Sequence, residues 1–214
     1  MASDTIPARR ERAELCDLFL ELGDDQPTLC GEWTTRDLAA HLVVRERRPD
    51  AAVGIVISKA AGYTEKVQAG VAETEWTALV DKVRSGPPMW SPTKIGAVDK
   101  LANTVEFFVH LEDVRRAQPT WEPRALDDDL TETLYSVLEK MAKRLVKSSS
   151  VGIVLEPTDA NAPIVAKEAQ PSVTVRGAVG ELVMFVYGRQ AHSSVELFGD
   201  DESVATVNNA SFGI

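Results

Sequence analysis

The sequence predicts a helical bundle over residues 1–147 and a small α+β domain over residues 148–214. Two observations carry this reading. Apolar residues recur at three- and four-residue steps through the first two-thirds of the chain. At Ser148-Ser149-Ser150 that pattern gives way to short β-branched runs split by Pro, Asp and Gly. The bulk numbers agree: 44% hydrophobic and 26% charged residues make a globular chain, not a disordered one.

Each element follows from local chemistry. Residues 5–22 place Ala13, Leu15, Leu18, Phe19 and Leu22 at helical spacing, and Gly23 and Pro27 stop the helix. In "TTRDLAAHLVVRER", Thr34 stands three residues before Asp37, a capping-box arrangement that opens a second helix. Pro49 ends that helix or begins another. Residues 51–70 read as helix interrupted at Gly54 and Gly62, and residues 73–85 as a short amphipathic helix closed by Gly86-Pro87-Pro88. A loop at 91–94 leads into a long helix from about Ile95 to Ala117. Residues 127–147 repeat Leu130, Leu134, Val137, Leu138, Met141 and Leu145, with an acidic start and a basic end that suit the helix dipole. Beyond 148, "VGIVLEP", "IVAKEA" and "SVTVRG" read as strands, "VGELVMFVYGR" as a buried helix, "SSVELFG" as a strand and "DDESVATVNNA" as a last helix.

Composition excludes several function classes. A formal net charge of -10 disfavours a nucleic-acid backbone or an anionic membrane as partner. No apolar stretch reaches membrane-spanning length, and the polar N-terminus lacks a signal-peptide core, so a cytoplasmic location is expected. The 2 cysteines, Cys16 and Cys30, form no zinc or redox motif and read as free structural thiols. No Ser–His–Asp triad, phosphate loop or dinucleotide fingerprint is present.

The chemistry-bearing pattern lies in "VEFFVHLEDVRR". Asn103, Glu106, His110 and Asp113 share one stripe of a helix whose other faces are apolar. Such a helix is buried, and a buried carboxylate needs a partner. His41 poses the same problem between Leu38 and Val44 on the second helix. Two histidines and a carboxylate on facing helices form a ligand set with an open fourth position, suited to catalytic zinc or to non-haem iron. Asp113 can orient His110 from behind. The same residues also satisfy one another in a hydrogen-bonded core network, and spacing alone leaves both readings open. Arg189 can bind an acidic thiol or substrate with its fork, or cap a helix C-terminus; Arg176 offers a weaker version of the same choice. His192 reads as a loop residue, Arg45, Arg47 and Arg48 as a solvated helix end, and Trp33 and Trp121 as packing anchors.

"TLCGEWTTRDLAAHLVVRERRPD" and "VEFFVHLEDVRRAQPTW" resemble the two signature segments of the DinB-like metal-binding superfamily. The likeness is to its actinobacterial branch, which resembles mycothiol-dependent maleylpyruvate isomerase. "SVTVRGAVGELVMFVYGR" is similar to the sterol-carrier-like domain of that branch. The resemblance implies an up-down four-helix bundle with a small C-terminal domain, and a divalent metal, usually zinc, on His41, Glu106 and His110. A histidine often found directly after the last ligand is replaced here by Leu111. The resemblance further implies a mycothiol-using S-transferase acting on small electrophiles in detoxification, or a cis–trans isomerase of a maleylpyruvate-like acid. A non-catalytic metal- or ligand-binding protein is the contrasting class. Asp113 and Arg189 are the expected catalytic helpers, with Arg189 also binding the thiol in a cleft toward the C-terminal domain. A monomer or homodimer is expected.

Overall fold

The computed structural model describes residues 6–56, 61–88, 97–160 and 162–213. They fall into two compact units, Met1–Trp121 and Glu122–Ile214.

The first unit is helical. Helix α1 (Pro7–Leu22) opens with Pro at its first position and ends at Gly23, whose φ of 89° suits glycine. Helix α2 (Thr35–Arg47) starts on the predicted capping box: the Thr34 N–H donates to Asp37 Oδ2 at 3.0 Å, and the Thr34 hydroxyl accepts from the Asp37 N–H. Pro49 begins a new helix, α3 (Pro49–Val56), which is followed by α4 (Ala61–Ala72) and α5 (Trp76–Arg84). The loop expected at 91–94 lies outside the described residues. The long helix, α6, spans Ala97–Arg116.

Four of these helices share one core. Leu15, Cys16 and Phe19 of α1 meet Leu38, Ala39, Leu42 and Val43 of α2, Leu79, Val80 and Val83 of α5, and Phe107, Leu111 and Val114 of α6. Burial pushes the Cys16 thiol up to about 12, so it is an inert core residue as expected. A buried ion pair joins α1 to α2: Arg12 Nη1 donates to Glu46 Oε2 at 2.7 Å and to the Val83 carbonyl at 2.7 Å. The same guanidinium lies 4.1 Å from the centre of the Phe107 ring, so one cation ties four helices.

The second unit contains α7 (Asp128–Leu145), capped by Asp127, whose carboxylate accepts the Leu130 N–H at 2.9 Å. Four strands follow with two helices among them: β1 (Gly152–Pro157), β2 (Ile164–Lys167), β3 (Ser172–Gly177), α8 (Val179–Val186), β4 (Glu196–Phe198) and α9 (Asp201–Asn208). The sheet order is β2-β1-β3-β4. β1 and β3 run parallel, with Ile153 opposite Val173 and Leu155 opposite Val175, and the outer pairs are antiparallel. Those four side chains and all of α8 are buried.

The unit boundary corrects the sequence expectation. The break falls after Trp121, not at 147/148. The predicted leucine stripe on α7 is buried, but it packs on α8 and β2 and so belongs with the sheet. The Gly213 N–H reinforces this by donating to the Leu145 carbonyl at 3.2 Å.

Candidate metal centre

The residues singled out on α2 and α6 converge. His41 Nε2 lies 3.5 Å from Glu106 Oε1, and His110 Nε2 lies 3.5 Å from the same oxygen. One ligand atom from each residue falls within 4.8 Å of the other two. The helix dictates half of this: Glu106 and His110 are one turn apart on α6. The other half comes from α2, where the capping box sets the first turn and the flanking Leu38, Leu42 and Val44 bury the face carrying His41.

The separations can be compared with what each of the two readings requires. A direct N–H···O hydrogen bond spans about 2.7–3.2 Å. Ligand bonds of about 2.0–2.2 Å at a tetrahedral angle put neighbouring ligand atoms about 3.4 Å apart. Both 3.5 Å contacts are long for hydrogen bonds and match two edges of a tetrahedral site. The three residues therefore fit a divalent cation.

Behind His110 the distances shorten. His110 Nδ1 is 3.0 Å from Asp113 Oδ2, which also accepts from the Cys30 thiol at 3.1 Å. A carboxylate oxygen at hydrogen-bond distance holds a proton on Nδ1 and turns Nε2 toward Glu106 and His41. Cys30, His110 and Asp113 form a second group of metal-capable residues. Their 3.0 and 3.1 Å contacts are those of hydrogen bonds, so this group supports the first one.

Asp113 is completely buried. Its own carbonyl accepts the Leu29 N–H at 3.0 Å, which ties the loop before α2 to α6 and brings Cys30 to the carboxylate. In that loop the Thr28 hydroxyl donates to the Trp33 carbonyl at 2.8 Å and accepts the Cys30 N–H at 3.1 Å. Trp33 has its ring centre 5.1 Å from that of His41 and so walls the site.

The sequence pattern assigns Arg45 to a solvated helix end, and the structure corrects this. Its Nε lies 3.0 Å from Glu106 Oε1, and its Nη1 donates to Asn103 Oδ1 at 2.8 Å. The available signal was its place four residues after His41, on the same helical face. Arg47 donates to the Lys82 and Gly86 carbonyls and to Ser85, while Arg48 pairs with Asp50. Cys30 gave no comparable signal, because its contact depends on a loop fold that periodicity does not describe. Leu111 is a buried core residue.

Burial acts against charge at all three candidate ligands. It prevails at His41, pulling that imidazole below its ordinary value. At His110 burial pulls the same way, but the hydrogen bond with Asp113, the Cys30 thiol and the negative charge of Glu106 outweigh it and hold the ring well above its ordinary value. At Glu106 burial pushes upward, and His110, His41 and Arg45 overcome it, holding the carboxyl well below the usual range.

The remaining candidates lie in the second unit. Arg189 Nη1 donates to the Tyr187 carbonyl at 2.6 Å, and His192 closes a short 3-10 turn, Gln190–His192. Arg176 stands 3.9 Å from Glu156 and is half exposed.

No protein-family profile and no curated protein sequence matches the chain. Solved structures do. The crystal structure of the mycothiol-dependent maleylpyruvate isomerase matches with a TM-score of 0.62, covering 91% of this chain and 91% of that one. The fold is that of mycothiol-dependent maleylpyruvate isomerase. A histidine-to-alanine mutant of the isomerase gives a TM-score of 0.61 over the same shares. Identity to the isomerase is 16%, so the likeness is one of architecture. Among the described residues no helix is long and apolar enough to cross a membrane.

Proposed function

We propose that His41, Glu106 and His110 hold one divalent metal, zinc by their donor types, and that the protein uses a low-molecular-weight thiol, mycothiol, against an electrophilic carbon. The observation that carries this reading is the pair of 3.5 Å separations converging on Glu106 Oε1. Three protein ligands with one position open are the catalytic pattern.

A metal bound there supplies Lewis acidity that favours the thiolate form of a thiol. The chain supplies the rest. Asp113 fixes the His110 tautomer, so that Nε2 faces the site. Trp33 and the apolar faces of α2 and α6 exclude water from one side. The thiolate sulfur then bonds to the electrophilic carbon, whose displaced electron pair leaves with a departing group or takes a proton. That outcome is S-transfer to a small electrophile, a detoxifying conjugation. The shared fold favours a second outcome, in which the adduct of an unsaturated acid rotates about its former double bond and expels the sulfur, giving cis–trans isomerisation. In this reading the first unit is a DinB-like bundle and the sheet-bearing unit a sterol-carrier-like domain.

The test is incubation of the zinc-loaded protein with mycothiol and a panel of electrophiles, with maleylpyruvate run alongside. Catalysed adduct formation supports S-transfer, and isomer formation without a stable adduct supports the second outcome. Saturable thiol binding with no turnover of either kind would make this a binding protein instead.

A further inference from the structure

Glu106 Oε1 faces donors from both helices, and the closest is not a histidine. Arg45 Nε is 3.0 Å away, against 3.5 Å for each imidazole nitrogen. The same guanidinium reaches Asn103 Oδ1 through Nη1 at 2.8 Å. Arg45 sits one turn after His41 on α2, and Asn103 three residues before Glu106 on α6. The planar fork therefore spans the two ligand-bearing helices beside the site. It cannot rotate without giving up one of the two bonds. A carboxylate oxygen has two lone pairs and can serve a guanidinium and a cation together.

We propose that Arg45, held by Asn103, is the positioning residue that aims Glu106 Oε1 at the two histidine nitrogens and so sets the affinity of the centre for a divalent cation. This rests on the metal reading above. Asn103, Arg45 and Glu106 are the carboxylate-side counterpart of Asp113 and His110. Two opposing effects act here. The positive charge of Arg45 repels an incoming cation, while its fork removes the rotational freedom of a long glutamate side chain. The inference is that the second effect prevails.

Competitive titration of the whole protein with Zn2+ against a chromophoric chelator separates them. R45M and R45K should both weaken zinc binding by about 10–100-fold, the usual effect of losing a partner behind a ligand. Lysine should not rescue, because it keeps the charge and loses the fork. Co2+ substitution should show an altered visible absorption band in both variants. A purely electrostatic role predicts the reverse: R45M binds zinc more tightly and R45K binds as wild type does. Either of those results overturns the proposal while leaving the metal reading intact. A wild type that binds no zinc overturns both. Should R45M and R45K lose their helical circular-dichroism signal, Asn103→Leu decides. Weaker zinc binding there supports the positioning role, and unchanged binding overturns it.

Discussion

At the residue scale, His110 controls how the centre responds to protons. Hydrogen bonds hold its imidazole well above the ordinary value in the metal-free protein, so it carries a proton at neutral pH that an incoming cation must displace. His41 is pulled down and arrives neutral, and Glu106 is already ionised. We predict release of about one proton per metal bound, with apparent affinity rising about tenfold per pH unit from neutral pH upward until His110 loses its proton unaided. Calorimetry in buffers of different ionisation enthalpy measures this, and proton release near zero would contradict it. His110→Ala should abolish stoichiometric zinc in elemental analysis, because three protein ligands are the minimum of an open site. Behind it, Asp113→Asn should weaken zinc binding by about 10–100-fold while keeping the volume of a fully buried side chain. The convergence of the candidate ligands was legible in the sequence because helical periodicity says which side chains share a face. Cys30 was not, since its 3.1 Å contact with Asp113 joins a loop to a helix far along the chain.

At the element scale, the clearest dependence is of α2 on its neighbours. Glu46 is buried and satisfied by Arg12 from α1. Arg12→Met should destabilise the protein by about 3 kcal/mol, since the buried Glu46 carboxylate loses its guanidinium partner. Thr34→Ala removes the capping hydroxyl of the same helix and should cost about 1 kcal/mol. Urea unfolding of the two variants ranks them, and equal effects would contradict the greater weight given to the buried pair. The α7 helix shows where sequence reading stops. Its leucine stripe predicted the helix and the buried face, but apolar side chains carry no label for their partner. The stripe fits a bundle or a sheet equally well, and the structure gives it to α8 and β2. Pro49 was similarly undecided as stop or start, and it begins α3.

At the scale of the whole molecule, metal removal is the broadest test. A cation that binds only the folded chain stabilises it by about 2.7 kcal/mol at a hundredfold excess over its Kd. Chelator should therefore lower the melting temperature of the zinc-loaded protein, and His110→Ala should melt at the same temperature with or without it. A wild type indifferent to chelator, with no bound metal, would return the site to the hydrogen-bonded reading. The placement of the candidate ligands has a further, kinetic consequence. Glu106 and His110 meet as soon as one turn of α6 forms, whereas His41 joins them only when α2 has docked across a long stretch of chain. The local pair can hold a cation early, but the third bond closes late. A bound cation thus acts as a latch on docked helices, and its loss should speed unfolding far more than it slows folding. Stopped-flow kinetics with and without chelator would show this as a shift much larger on the unfolding limb than on the folding limb.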